Sequence, residues 1–308
     1  MSLLNQYKAS LKAVEVEEIF DLLIYRPLAF LFVKATYSTN LTPDQVSVVA
    51  LIIGSAAGVM FGFGEYSFFV IGASLYILSN ILDCADGQIA RLKKNVTKVG
   101  RVVDGFVDYI VSIFVFVGIA IGLMKQFNNH EIILIGNSVL DWKPGAYIWF
   151  ASILGAVSSA VQAFYFDFYR NKFLEIVFGK ASNIINEINE YEQERKRFDE
   201  DPSSAGFLEK FLINVYLRYS YLQLKIQKEH EENHNESKPD AKLYYVKNRL
   251  LLRFWSYMGS TTHITLCVVC AFFNSLEVFL LLCILPLNLL MLFLFFVQKE
   301  VNKNLWRL

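Results

Sequence analysis

The segment Asp83-Cys84-Ala85-Asp86-Gly87-Gln88-Ile89-Ala90-Arg91 is followed, eight residues later, by Gly100-Arg101-Val102-Val103-Asp104-Gly105-Phe106-Val107-Asp108. Asp83 and Asp86 share one face of a helix, because positions three apart are neighbours on its surface. Gly87 and Ala90 continue that face with almost no side chain. Gly100, Asp104 and Asp108 recur every fourth residue and line one face of the next helix. Two antiparallel helices would then present two carboxylate pairs to each other, with small residues letting a backbone or a ligand come close. Four packed carboxylates repel, and burying them is costly. Arg91 alone cannot compensate. One or two hard divalent cations can, since Mg²⁺ takes carboxylate together with phosphate oxygens. Two such ions clamp a pyrophosphate and stabilise charge developing on a phosphate. The blander alternative, in which the acids cap helices or pair with Arg91, Lys93 and Arg101, explains neither the facing geometry nor the glycines.

The elements that must position these residues read as membrane helices. At 55% hydrophobic and 15% aromatic, the 308-residue chain is too apolar for an ordinary soluble domain. Its formal net charge of zero gives a nucleic-acid partner no bulk electrostatic support. The expected architecture is all-α and polytopic, with six transmembrane helices, an N-terminal interfacial helix and a cytoplasmic helical insert. Residues 1–41 form the N-terminal interfacial segment; Met1–Glu15 lacks the apolar core of a signal peptide. Val14–Lys34 reads as an amphipathic helix interrupted at Arg26-Pro27. Residues 42–166 hold spans one to four. Thr42-Pro43-Asp44-Gln45 is a helix start, with Thr42 as N-cap, Pro43 in the first turn and Gln45 closing a capping box. The first span runs from there to about Phe61, and Gly54 and Gly58 on it form a GxxxG pair that favours close helix packing, within the chain in preference to a dimer seam. Tyr66–Leu82, Val102–Met124 and Ala146–Phe166 follow, the last preceded by Trp142, Tyr147 and Trp149 as interfacial aromatics. Residues 167–252 form the insert. It contains an amphipathic helix around Ile184–Tyr191, a break at Asp201-Pro202-Ser203-Ser204, a second helix over Phe207–Lys228 and a solvated linker over His230–Asp240. Residues 253–308 carry spans five (Phe254–Phe272) and six (Val278–Val297, kinked at Pro286) and a C-terminal tail.

Arg91, Lys93, Lys94, Lys98 and Arg101 lie between spans two and three, and Lys299, Lys303 and Arg307 follow span six. The opposite turns around Gly62–Glu65 and Asn274–Glu277 carry no Lys or Arg, and the loop Lys125–Lys143 has only its two end lysines. The positive-inside bias puts both termini and the aspartate-bearing loop on the cytoplasmic face. Span two runs about 25 Å before reaching Asp83, at about 1.5 Å per residue, so the acids sit near that interface.

DxxDGxxAR, eight residues, then GxxxDxxxD resembles the signature of the CDP-alcohol phosphatidyltransferases. Asp83, Asp86, Gly87, Ala90, Arg91, Gly100, Asp104 and Asp108 occupy every fixed position. The resemblance is direct over Asp83–Asp108 and looser over the six-span layout and the Thr42-Pro43 start, while the insert is longer than in small members of the family. It implies a membrane phosphotransferase of phospholipid biosynthesis, generally homodimeric. Asp83, Asp86, Asp104 and Asp108 would ligate two divalent ions, Mg²⁺ or Mn²⁺, with Asp108 also the general base. Gly87, Ala90 and Arg91 would form the nucleotide site, the first two making room for the cytidine. An alcohol would attack the β-phosphorus of a CDP-linked substrate and release CMP. Length and span number favour CDP-diacylglycerol as donor over a soluble CDP-alcohol passing its phospho-alcohol to a lipid.

Arg170, Arg253 and His263 are expected level with the aspartates, where they would line an acceptor pocket; snorkelling and interhelical hydrogen bonding are the plainer readings. His230-Glu231-Glu232-Asn233-His234 matches HExxH but has no apolar face for a zinc site. Cys267 and Cys270 lie inside an apolar run and read as small packing residues. A cation transporter is the competing class. It would need its acids near the midplane, and it does not call for Gly87, Ala90 and Arg91.

Overall fold

The computed structural model describes residues 3–11, 14–93, 98–127, 144–179, 184–200, 210, 213–218, 220–222, 224–225 and 240–305, with the side chains of 98–106 outside that description. Among these residues the chain is all-helical, and five helical segments are long and apolar enough to cross a membrane. The expected break at 201–204, the linker with its HExxH and the loop bearing Trp142 lie outside the described residues.

The helix start at Thr42 forms as the sequence predicts. Thr42 Oγ1 accepts from the Gln45 amide, and Gln45 Oε1 accepts from the Thr42 amide, opening α3 (Pro43–Phe61). Two long helices, α4 (Tyr66–Lys93) and α5 (Lys98–Phe127), pack against α3. The approach depends on glycine. A Cβ at Gly54 would fall 2.6 Å from Ser79 Oγ of α4 and 2.7 Å from Val111 of α5. One at Gly118 would overlap the Gly58 carbonyl oxygen. The Gly54/Gly58 pair therefore serves packing inside the chain, as expected.

The fourth expected span is longer than its apolar run. α6 (Pro144–Phe178) carries on through Asp167 to Phe178, because Phe168, Tyr169 and Phe173 stay buried against the following helices. α7 (Ile184–Glu200) keeps Ile188 and Tyr191 buried, matching its predicted apolar face. The fifth expected span is split. α8 (Ala241–Trp255), capped by Asp240, ends at a short 3₁₀ turn over Ser256–Met258. The chain restarts after extended Gly259 as α9 (Ser260–Phe272). At 13 residues α9 is about 20 Å long, shorter than the roughly 30 Å hydrocarbon core. The last span forms one membrane-capable helical segment over Leu276–Lys303, with the expected irregularity at Pro286. α10 (Leu276–Ile284) passes through a one-residue turn at Leu285 into α11 (Pro286–Leu305), and the Leu285 and Leu289 amides still donate to the Leu281 and Leu285 carbonyls. Pro286 has no N–H to continue the ladder. Polar side chains satisfy carbonyls beside the turn: Gln162 donates to the Cys283 carbonyl at 3.0 Å and Asn288 to that of Ile284 at 2.9 Å.

Arg26-Pro27 does not interrupt the N-terminal helix. A π-helical turn over Asp21–Tyr25 leads directly into α2 (Arg26–Thr36). The wider turn accommodates the proline, which has no N–H to give. Tyr25, Ala29 and Val33 bury against Val46, Ala50, Leu82, Ala85 and Ile89, so α2 docks on α3 and α4. Leu23, Leu28 and Leu31 stay exposed on the other side. Ahead of it, α1 (Leu3–Ser10) rests on the far end of α4, where Arg91 Nε donates to the Ser10 carbonyl.

Candidate functional site

α4 runs unbroken through the first half of the motif, so Asp83, Asp86, Gly87 and Ala90 form one stripe. α5 carries the second half on its first turns. The two helices meet α3 in a common layer at Gly54, flanked by Ser79 and Val111. That layer fixes their register. Asp83 lies four residues beyond Ser79, about 6 Å along its axis, and Asp108 three residues before Val111, about 4.5 Å along its own. Asp86 and Asp104 both lie seven residues out, at about 10 Å. The antiparallel helices thus bring Asp83 level with Asp108 and Asp86 level with Asp104.

Asp86 is 4% exposed and accepts a 2.6 Å hydrogen bond from Ser47 Oγ of α3. Asp83 is half-buried and Asp108 exposed. The Asp104 side chain lies outside the described residues. Among the described residues no three His, Cys, Asp or Glu groups gather into a metal-sized cluster, and the expected set includes Asp104. An all-carboxylate donor set suits a hard divalent ion, and Asp86 is the most buried of its described members. On the same helix the Arg91 guanidinium lies over Gly87, where a Cβ would sit 3.4 Å from it.

The three expected acceptor residues part company. Arg253 donates to the backbone carbonyls of Glu17 and Val14. His263 is buried; its Nδ1 donates to the Gly259 carbonyl at 2.8 Å, and its Nε2 lies 2.7 Å from Gln162 Oε1. Arg170 pairs with Asp167 at 2.8 Å and stacks on Phe166. Of the three, Arg170 lines a cavity.

That cavity introduces residues the sequence reading passed over. Its walls are Val16, Glu17, Glu18, Asp21 and Arg26 from the N-terminal segment and Arg170, Asn171 and Leu174 from α6. Arg26 Nη2 pairs with Glu17 at 2.6 Å, and its Nε lies 3.5 Å from Asp21. Asp21 accepts from Thr261 Oγ1 at 3.0 Å and from Cys84 Sγ at 3.7 Å. Glu18 accepts from the Thr261 amide at 3.0 Å, and its carboxyl fills the space a Cβ on Gly259 would need. Gln88 donates to the Arg26 carbonyl at 3.0 Å. The segment is thereby tied to the motif helix on one side and to the start of α9 on the other.

Burial, reinforced by Asp21, pushes the Glu18 carboxyl up to about 8. Asp21 is also raised by burial, against the opposing pull of Arg26. Burial works against the charge on Arg26, but Glu17 and Asp21 outweigh it and hold the guanidinium charged. The available signal in the sequence was the run of acids Glu17, Glu18 and Asp21 followed by Arg26 among apolar neighbours. It has the same appearance as the polar side of a surface helix.

Residues 40–183 match the family model for CDP-alcohol phosphatidyltransferase, so this stretch is a domain of that kind. A 113-residue stretch is 24% identical to an archaetidylinositol phosphate synthase from Pyrococcus horikoshii. The match covers 35% of this chain and 56% of that relative, so the chain spans little more than half of the relative's length. The family-model match over residues 40–183 takes in α3 to α5 and all four aspartates.

Proposed function

We propose that this chain, a member of the CDP-alcohol phosphatidyltransferase family, transfers a phosphatidyl group from CDP-diacylglycerol to a hydroxyl acceptor and releases CMP. One observation carries the reading: the register set by Gly54, Ser79 and Val111 brings the two halves of the aspartate motif level across α3. Asp83, Asp86, Asp104 and Asp108 are the residues that would hold two divalent ions, Mg²⁺ or Mn²⁺. Such ions, when bound, neutralise the diphosphate and stabilise charge on the leaving phosphate.

The chain's own groups do the rest. Asp108, exposed at the edge of the motif, takes the proton from the acceptor hydroxyl. The hydroxyl oxygen bonds to the β-phosphorus, the bond from that phosphorus to the bridging oxygen breaks, and CMP departs. Gly87 and Ala90 leave room for the cytidine, with Arg91 beside them. Arg170 stands at the acceptor side, while Arg253 and His263 act one step removed, holding the segment and the helix start that shape that side.

A soluble CDP-alcohol donor with a lipid acceptor is the alternative within the class. A cation transporter, the competing class, leaves Gly87, Ala90 and Arg91 without a use. The site is assigned to the cytoplasmic face from the positive loops. The exposed Leu23, Leu28 and Leu31 support an interfacial seat for α2. A homodimer follows from the family alone.

The test is CMP release from CDP-diacylglycerol by the full chain in lipid nanodiscs, with serine, glycerol phosphate, inositol, inositol phosphate and choline as acceptors. Mg²⁺ or Mn²⁺ should support turnover, and chelation by EDTA should abolish it. Undiminished turnover in chelator would remove the metal reading, and CMP release from a soluble CDP-alcohol alone would reverse donor and acceptor.

A further inference from the structure

The cavity between the N-terminal segment and α6 has a volume of about 70 Å³. That is room for roughly five water-sized positions, at about 10–15 Å³ each. Arg26 is 9% exposed, and its Nη1 is buried with no hydrogen-bond partner among the described residues. A buried guanidinium N–H left without an acceptor is expensive, so a ligand that brings an oxygen to it gains what the fold leaves unmet.

The wall decides which oxygen. Glu17, Glu18 and Asp21 face Arg26 and Arg170, and each arginine already has a carboxylate within ion-pair distance. A phosphate dianion would bring its charge against the carboxylates of Glu17 and Asp21. A cationic head group would leave Arg26 Nη1 unmet and add like charge beside it. A neutral polyhydroxy alcohol does neither. Its oxygens accept from Arg26, and its hydroxyls donate to the carboxylates and to the Asn171 amide oxygen. Glu18, raised to about 8 by burial, adds little negative charge at neutral pH.

The cavity also lies in the right place. Asp21 touches Cys84, the neighbour of Asp83, and Asp83 is within electrostatic range of Arg26. On the α6 side, Asp167, the partner of Arg170, is within electrostatic range of Tyr109, the neighbour of Asp108. The cavity therefore adjoins both halves of the motif.

We infer that this cavity receives one edge of a neutral polyhydroxy alcohol, the acceptor class of this enzyme, with Arg26 and Asp21 as its binding residues. The role of acceptor rests on the phosphatidyl-transfer reading above; the binding itself does not.

The experiment is saturation-transfer difference NMR on the full chain in nanodiscs without CDP-lipid. The probes are glycerol, myo-inositol, glycerol 3-phosphate, myo-inositol 1-phosphate, serine and choline. A signal from the neutral polyols is expected, retained in Asp108→Asn and lost in Leu174→Trp, which fills the cavity from α6. Arg26→Gln should weaken it at least about tenfold, in line with losing a charge-assisted hydrogen bond. Signal from the phosphorylated alcohols, serine or choline alone, no signal at all, or a polyol signal unchanged in both Leu174→Trp and Arg26→Gln would overturn the inference. Polyol binding that survives these controls but gives no CMP release with CDP-diacylglycerol would uphold the site and overturn the reaction.

Discussion

Asp86 and Asp108 differ in surroundings, and the roles proposed for them differ accordingly. Asp86 is buried and takes a hydrogen bond from Ser47, so its position is fixed by α3 as well as by its own helix. Asp108 is exposed and one helical turn beyond Asp104. An alcohol is a poor nucleophile near neutral pH, and a positioned base contributes about 10²–10⁴-fold. Asp108→Asn keeps shape and removes the proposed base, so kcat should fall about 10²-fold or more with donor binding largely kept. Asp86→Asn should weaken metal and donor binding together. Titrating Mn²⁺ and CDP-diacylglycerol against both variants separates the two. Near wild-type turnover in Asp108→Asn would remove it as base, and equal loss of donor affinity in both would make it chiefly a ligand.

At the scale of the element, the site depends on how closely three helices meet. The Gly58 carbonyl occupies the place of a Cβ on Gly118, and the Phe61 carbonyl that of a Cβ on Gly122. Neither backbone can yield without moving a whole helix. Gly118→Ala should therefore cost about 1–3 kcal/mol or more, as overpacking does. It should also lower CMP release, because separating α5 from α3 shifts Asp104 and Asp108 out of register with Asp83 and Asp86. Thermal unfolding in nanodiscs and turnover are the paired measurements. Gly87→Ala is the contrast. Its Cβ would come no nearer than 3.4 Å to the Arg91 guanidinium, the end of a flexible chain. It should leave stability within about 0.5 kcal/mol while raising the donor KM, and a stability loss as large as that of Gly118→Ala would return Gly87 to packing.

The whole molecule is closed by its N-terminal segment, which ties together α4, α8 and α9. Glu18 sits at the centre of that closure, facing Asp21, Arg170, Asp167 and the Thr261 amide. Its carboxyl is raised from about 4.5 to about 8. Below the lower value it is protonated whether the segment is docked or free. Between the two values the docked segment holds a proton that the free one releases, so docking weakens as pH rises through this window. The unfolding midpoint in nanodiscs should fall from about pH 5 to about pH 8 and level off above. Glu18→Gln, which carries no titrating proton, should flatten that slope, and an unchanged slope would place the pH response elsewhere.

The placement of the motif was legible in the sequence because it is written at helical spacing. Asp83 to Asp86 and Asp104 to Asp108 are separations that one helix turns into a face, and the run of Tyr66–Leu82 states directly that the helix bearing the first pair is apolar. The cap at Thr42 is equally local, and it forms as read. What the sequence could not state is which polar residues meet across long separations. Arg253 reaches Glu17 and Val14, Thr261 reaches Asp21, and Cys84 reaches Asp21, over 236, 239, 240 and 63 residues respectively. No periodicity along one segment encodes such a pairing. The acids that read as the polar side of a surface helix became the wall of a cavity only when α6, α8 and α9 packed against them and took them out of water. The same packing split the fifth span at Gly259, since the space there belongs to Glu18. Helical period and hydropathy are properties of a segment by itself; burial of a charge is a property of what surrounds it, and only the tertiary structure supplies that.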